Sequence, residues 1–215
     1  MRLKDKTAVI TGGGTGIGRA TAILFAKEGA KVCIVGRRLK PLEETVAFIQ
    51  SEGGMAICLE CDVSKADEVQ RVVDIALNTF GKIDILYNNA AIVTGLGKDI
   101  VELSEDEWDS LMSVNLKGVF LCSKYIIPHM IKNGGGVIVN CSSISGLLGQ
   151  RKMGAYSAAK GGIEVLTKCM ALDFAEYKIR VNAVSPAWVE TVLNREKIME
   201  EKEEVLRMHP IGRVG

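Results

Sequence analysis

Short apolar runs rich in β-branched residues alternate along the chain with longer stretches whose apolar positions recur at helical spacing. The short runs cover residues 7–11, 31–35, 56–60, 83–88, 136–141 and 179–184. The longer stretches cover 19–27, 41–51, 66–79, 108–132 and 156–176. Strand then helix, repeated in this way, predicts right-handed crossovers and a parallel sheet covered on both faces. The expected fold is therefore α/β, a doubly wound parallel sheet in three layers of the Rossmann type, with its ligand in the crevice at the carboxyl ends of the strands. Residues 190–208 also have helical spacing, with Ile198, Val205 and Leu206 among many charges. That tail reads either as a solvated amphipathic helix or, because it follows a strand end directly, as a substrate lid over 190–209.

Composition narrows the function classes. With 215 residues, 47% of them hydrophobic, the chain can bury one sizeable core, which predicts a single domain over 1–215. The 27 basic and 26 acidic side chains are mixed along the chain and leave a net charge of +1, so neither nucleic acid nor a membrane surface is an expected partner. No apolar run approaches the ~18 residues that a spanning helix needs. Six cysteines and no visible signal peptide point to a reduced, cytoplasmic protein. Cys58 and Cys61 have metal-like spacing but no second pair, and His129 and His209 lie far apart, so no metal is expected.

The first strand runs into Thr11-Gly12-Gly13-Gly14-Thr15-Gly16-Ile17-Gly18 ahead of the first helix, which Gly29 should close in a left-handed conformation. Glycines let a backbone turn sharply and approach a pyrophosphate, and the helix behind them presents free N–H groups and a positive dipole end. The spacing is T-G-x-x-x-G-x-G rather than G-x-G-x-x-G, and its position between strand and helix predicts dinucleotide binding. About 20 residues on, where an acidic residue holds the ribose 2′-hydroxyl of NAD, the chain reads Gly36-Arg37-Arg38. Guanidinium groups match a 2′-phosphate, so NADP(H) is expected and NAD(H) is the less favoured alternative, with Arg37 the main contact.

Tyr156 and Lys160 are four apart on a predicted helix and share a face. An ammonium about 4 Å from a phenol contributes ~4 kcal/mol at an effective dielectric near 20, or about three pKa units. On that arithmetic Lys160 would bring Tyr156 toward neutrality, where it could exchange a proton with a carbonyl oxygen.

Taken together, these residues resemble the short-chain dehydrogenase/reductase family, in a branch similar to 3-oxoacyl-thioester reductases and glucose dehydrogenases. The motifs that carry the resemblance span the chain: the glycine turn, Cys61-Asp62-Val63, Asn88-Asn89-Ala90-Ala91, Asn115 in V-N-L, Ser142-Ser143, Tyr156-Ser157-Ala158-Ala159-Lys160, and Arg180-Val181-Asn182-Ala183-Val184-Ser185-Pro186. The resemblance implies Tyr156 as acid/base, with Lys160 lowering its pKa and holding the nicotinamide ribose. It implies Ser143 at the substrate carbonyl, with Ser142 ranked second, and Asn115 keeping a water in a relay behind Lys160. Gly12, Thr15, Gly16, Ile17, Gly18, Arg37 and Arg38 would bind the cofactor's phosphate end. Asp62 and Val63 would meet adenine, Asn89 and Ala90 the ribose region, and Pro186, Val189 and Thr191 the nicotinamide side. Trp188 would stand near the nicotinamide, as a pocket wall or as packing.

The expected activity is hydride transfer between NADP(H) and a carbonyl or secondary alcohol, with 3-oxoacyl thioesters, sugars and small ketones all open as substrates. A homo-oligomer is implied, dimer or tetramer, through residues 115–132 and 156–176. Three departures from the family pattern stand out. Ala91 and Ala187 replace usual glycines, and the chain stops where another helix and a seventh strand usually follow, leaving six strands. That last departure motivates the rival expectation, a catalytically silent NADP(H)-binding sensor or truncated relative.

Overall fold

The computed structural model describes residues 1–192 and 194–215. Six strands form one parallel sheet: β1 (Thr7–Thr11), β2 (Lys31–Gly36), β3 (Met55–Glu60), β4 (Ile85–Asn88), β5 (Gly136–Cys141) and β6 (Ile179–Val184). Their order is β3-β2-β1-β4-β5-β6, the doubly wound arrangement, with the direction of winding reversing beside β1. Successive residues of a strand serve opposite faces of the sheet, and here both faces are apolar. Ala8, Ile10, Val32, Ile34, Ile85 and Tyr87 enter one core with α1 (Gly16–Lys27) and α2 (Leu39–Ser51). Val9, Cys33, Val35, Leu86 and Ile138 enter the other, with α3 (Ala66–Phe80) and the helices that follow. This two-sided burial is why the strands read as continuous apolar runs.

The helix expected over 108–132 is longer and is interrupted. It starts as α4 (Glu105–Met112), passes through a π-helical turn at Ser113–Lys117, and continues as α5 (Gly118–Lys132). Its start is set by a capping box: Ser104 Oγ accepts the Glu107 N–H at 3.2 Å and Glu107 Oε2 accepts the Ser104 N–H at 3.0 Å. Trp108 therefore lies one turn inside. α2 begins upstream of Pro41, because proline in a first turn sacrifices no helical hydrogen bond. Gly29 has φ of 92°, the left-handed conformation its position requires. α6 (Gly154–Asp173) crosses the second face and packs on β6.

The tail is two short helices, α7 (Arg195–Glu200) and α8 (Lys202–Arg207), in place of one. Six-residue helices have few internal bonds, and the buried side chains of Ile198 and Val205 anchor them. Ahead of them, the backbone at Trp188 and Glu190 exchanges two 3.0 Å hydrogen bonds with Gly215.

A polar knot sits within the second core. Asn88 and Asn140 are direct partners in the β4–β5 register, and Asn88 Nδ2 donates to Asn140 Oδ1 at 2.9 Å. Asn140 Nδ2 donates to Thr167 Oγ1 at 2.9 Å, tying α6 to β5. Buried amides need such partners, so the knot fixes how the strands and α6 meet.

Candidate active site

The glycine turn lies at the carboxyl end of β1. Gly12 and Gly13 donate to the carbonyl of Val35, at 2.7 and 3.2 Å, which holds the turn against β2. Gly12 has φ of 68°, and a Cβ there would meet Asn89 Nδ2 at 2.8 Å. A Cβ on Gly18 would collide with the Gly12 carbonyl oxygen, so no side chain can intrude between turn and helix. Thr15 caps α1 without a side-chain bond to it, and the first turn carries no acidic residue. Free N–H groups and the positive helix end therefore face the cavity, as a phosphate requires. Thr11 Oγ1 accepts the N–H groups of Asn89 and Ala90 at 2.9 and 3.0 Å, while Asn89 Nδ2 donates back to the carbonyls of Thr11 and Gly12. The Asn89 Nδ2 is thus spent on the turn itself.

A cavity of about 550 Å³ runs from this turn to the start of α6. Its lining brings together Gly12, Thr15, Gly16, Ile17, Arg37, Arg38, Asp62, Val63, Asn89 and Ala90 with Ser143, Tyr156, Lys160, Pro186, Val189 and Thr191. Gly18 and Asn115 are buried behind its wall. Burial alone would raise the Asp62 carboxyl, but hydrogen bonds from Ser64 and the charge of Arg37 outweigh it and hold Asp62 below its usual value. Gly36, Arg37 and Arg38 form the wall beside it. The cradle, the helix end and the guanidinium groups fit a dinucleotide.

Ser142 and Ser143 are separated by their partners. Ser142 Oγ donates to the Lys160 carbonyl at 2.9 Å and is used up in the fold. Ser143 lines the cavity together with Tyr156, and its hydroxyl acts to lower the pKa of that phenol. The loop that holds Ser143 is fixed by Ile144, whose N–H donates to the Pro186 carbonyl at 3.0 Å.

The electrostatics of the Tyr156–Lys160 pair differ from the sequence argument. Burial pushes the Tyr156 phenol above the ordinary tyrosine value, with the Ser143 hydrogen bond pulling the other way. Burial likewise pushes the Lys160 ammonium below the ordinary lysine value. Lys160 Nζ donates to the Cys141 carbonyl at 2.7 Å and lies 5.6 Å from the centroid of the Tyr156 ring. The ammonium thus faces the ring and a backbone oxygen. Coulombic activation of the phenol assumed a direct approach to its oxygen, and desolvation prevails in this arrangement.

Asn115 is fully buried in the π turn. Its Oδ1 accepts the Ile92 N–H at 2.8 Å and its Nδ2 donates to the Ile92 carbonyl at 2.9 Å. Each end of the amide keeps one further hydrogen-bonding capacity, and the two bonds to Ile92 brace the side chain in place.

Four contributors escaped the sequence reading. Asn194 organises the strap over the cavity: its Oδ1 accepts from the N–H and hydroxyl of Thr191, and its Nδ2 donates to the Val189 carbonyl. The T-x-x-N spacing was the available signal. The Cys141 carbonyl holds Lys160 with a backbone atom, which no residue identity announces. Ser145 and Gln150 extend the hydrogen bonds of Ser143. Among the described residues no group of three or more histidine, cysteine or acidic side chains could hold a metal, and no helix is long and apolar enough to cross a membrane.

Comparison with known proteins places these features in a family. Residues 6–202 match the model described as short chain dehydrogenase. An uncharacterized oxidoreductase of Bacillus subtilis (strain 168) is 46% identical over 222 residues, covering 100% of this chain and 81% of the relative. Cyclohexanol dehydrogenase of Acinetobacter sp. (strain SE19) is 37% identical, covering 100% of this chain and 84% of its own. The crystal structure of an NAD⁺-bound xylitol dehydrogenase superposes with a TM-score of 0.94 at 31% identity, covering 100% of this chain and 88% of that one.

Proposed function

The chain belongs to the short-chain dehydrogenase family of oxidoreductases, and from that premise we propose that it transfers hydride between NADP(H) and a carbonyl or secondary alcohol, with Tyr156 as general acid/base. The observation that carries this reading is the meeting of Tyr156, Ser143 and Lys160 with the glycine turn and Arg37 in one cavity. Arg37 and Arg38, at the place where a carboxylate would favour NAD(H), support NADP(H). NAD(H) is the second reading, favoured by the NAD⁺-bound relative.

When bound, the nicotinamide supplies or accepts the hydride. Gly12, Thr15, Gly16, Ile17 and Gly18 would hold the pyrophosphate, Asp62 and Val63 the adenine, and Lys160 the nicotinamide ribose. Asn89 and Ala90 would border the ribose region, with Pro186, Val189 and Thr191 on the nicotinamide side. In reduction, Tyr156 gives its phenolic proton to the carbonyl oxygen while Ser143 holds that oxygen; in oxidation the proton returns. Asn115, in the π turn, would keep a water in a proton relay behind Lys160. The strap and helices α7 and α8 would close over substrate as a lid. Exposed Phe120 on α5 and Val165 and Leu172 on α6 suit a contact between copies of the chain. A cytoplasmic location accords with six free thiols.

Tyr156→Phe tests the assignment. NADPH binding, read by fluorescence, should stay within about twofold while turnover falls by ~10²–10⁴, the usual worth of a general acid/base. Cyclohexanone, an acetoacetyl thioester and an aldose form the substrate panel. Retained turnover in the variant would refute the role of Tyr156.

A further inference from the structure

The hydroxyl of Ser143 has one proton, and a file of polar groups decides where it points. The Ser145 N–H donates to Ser143 Oγ at 3.2 Å, the Ser143 hydroxyl reaches Ser145 Oγ at 3.3 Å, and the Ser145 hydroxyl donates to Gln150 Oε1 at 2.8 Å. Tyr156 shares the cavity wall with Ser143, whose hydroxyl acts to lower the pKa of its phenol. Ser143 and Ser145 are buried, at 8% and 5% exposed, whereas Gln150 is exposed. The file therefore leads from the reacting phenol through two buried hydroxyls to a primary amide at the surface.

Each hydroxyl donates once, so the file runs in a single direction. When the amide oxygen faces Ser145, every proton points toward Gln150. Ser143 then offers Tyr156 only a lone pair. A half-turn of the amide puts its nitrogen in the same place, and the file reverses. Gln150 donates to Ser145, and the two lone pairs of Ser143 accept the N–H and O–H of Ser145. The Ser143 proton is then free for the phenol or the substrate oxygen, whichever carries the negative charge. Hydride transfer builds negative charge on those oxygens, and only the second direction meets it with a donor.

We propose that Gln150 is a positioning residue which, through Ser145, sets the direction of the Ser143 hydroxyl, and that turnover needs the donating end of its amide. The proposal rests on the reading of Ser143 as the donor to the substrate oxygen. It gives the loop between Ser143 and Tyr156 a part in proton placement as well as in shaping the substrate pocket.

The test is a double-mutant cycle on NADPH-dependent reduction of cyclohexanone. Q150E presents only acceptors and should lower kcat about tenfold, the worth of one hydrogen bond at the reacting oxygen, with KM nearly unchanged. Q150K presents only donors and should turn over about tenfold faster than Q150E. On an S145A background the file is cut, and adding Q150E should cost less than about twofold. An equal loss in both backgrounds would mean a general charge effect and overturn the proposal. A second measurement needs no substrate: the ultraviolet difference titration of Tyr156 against Y156F. The groups beside the phenol, Ser143, Lys160 and Cys141, stay in place throughout. Q150E should move that titration upward in the native chain and leave it unmoved with S145A; no movement in either background refutes the file. S143A separates the two claims. If S143A keeps its rate, the reading of Ser143 falls; if S143A loses it and Q150E does not, the role of Gln150 alone falls.

Discussion

The side-chain amide of Asn115 is closed on the backbone of Ile92 at both ends, accepting its N–H at 2.8 Å and donating to its carbonyl at 2.9 Å. This pair joins the π turn to the segment after β4, so a residue counted among the catalytic group is also a brace between two walls of the cavity. Asn115→Ala leaves two backbone groups of Ile92 without those partners. Each buried unsatisfied group costs about 1–3 kcal/mol, so the variant should lose ~2–6 kcal/mol in urea denaturation with an unchanged slope. A loss of activity without a loss of stability would place the action of Asn115 elsewhere.

Arg37 lines the cavity and its charge is felt by Asp62. A hydrogen bond to a charged group is worth about 1.5–3 kcal/mol, so Arg37→Ala should weaken NADPH roughly 10- to 100-fold. NADH, which lacks the 2′-phosphate, should change by no more than about twofold, and direct titration of both nucleotides checks the difference. Equal weakening of the two would assign the wall beside Arg37 to some other part of the cofactor.

The raised pKa of Tyr156 sets the sign of the pH dependence. Reduction needs the protonated phenol, which persists below the raised value, so its kcat should stay flat from neutrality to the ordinary tyrosine range and fall only beyond it. Alcohol oxidation needs the phenolate and should climb about tenfold per pH unit over the same interval. Steady-state rates in both directions across that range test this, and an oxidation rate that levels off near neutrality would mean that the phenol is activated in the working complex.

Lys160 carries the opposite shift, below the ordinary lysine value, because its ammonium is buried. The folded state then binds fewer protons than the unfolded chain. Its cost is full below the folded pKa and is relieved as pH rises toward the ordinary lysine value. Lys160→Met should abolish turnover, and because it removes the buried charge, its stability relative to the native chain should be most favourable near neutrality and decline in alkali. Thermal melts at neutral and alkaline pH would show whether it declines.

The legible and illegible parts of this molecule divide along physical lines. Strands β1, β5 and β6 match the apolar runs residue for residue, because a parallel sheet buried on both faces leaves an uninterrupted apolar signature. The helix starts were less visible: α1 begins in the glycine turn at Gly16 and α2 precedes Pro41, in residues that usually mark loops. The π turn has the same periodic pattern as its flanking helices over five residues and gave no signal. Among the site residues, those acting through side chains on fixed motif positions, such as Tyr156, Lys160 and Ser143, stand in the cavity. The pieces missed act through backbone, as the Cys141 carbonyl does, or through loop geometry, as Asn194 and Gln150 do. The direction of the Tyr156 shift was out of reach for another reason: it depends on desolvation, and sequence spacing measures only separation.

The strand order has a consequence in time. β1 is flanked by β2, its next neighbour in the chain, and by β4, which is made only after three strands and three helices have been synthesised. A nascent chain can therefore form β1, the glycine turn and β2 early, while Thr11 still lacks Asn89 and Ala90 to brace it. The nucleotide cleft is completed by late arrivals, with Ser143 and Tyr156 followed by Pro186, Val189 and Thr191. Nucleotide capture during translation would thus report that the second half of the chain has docked onto the first.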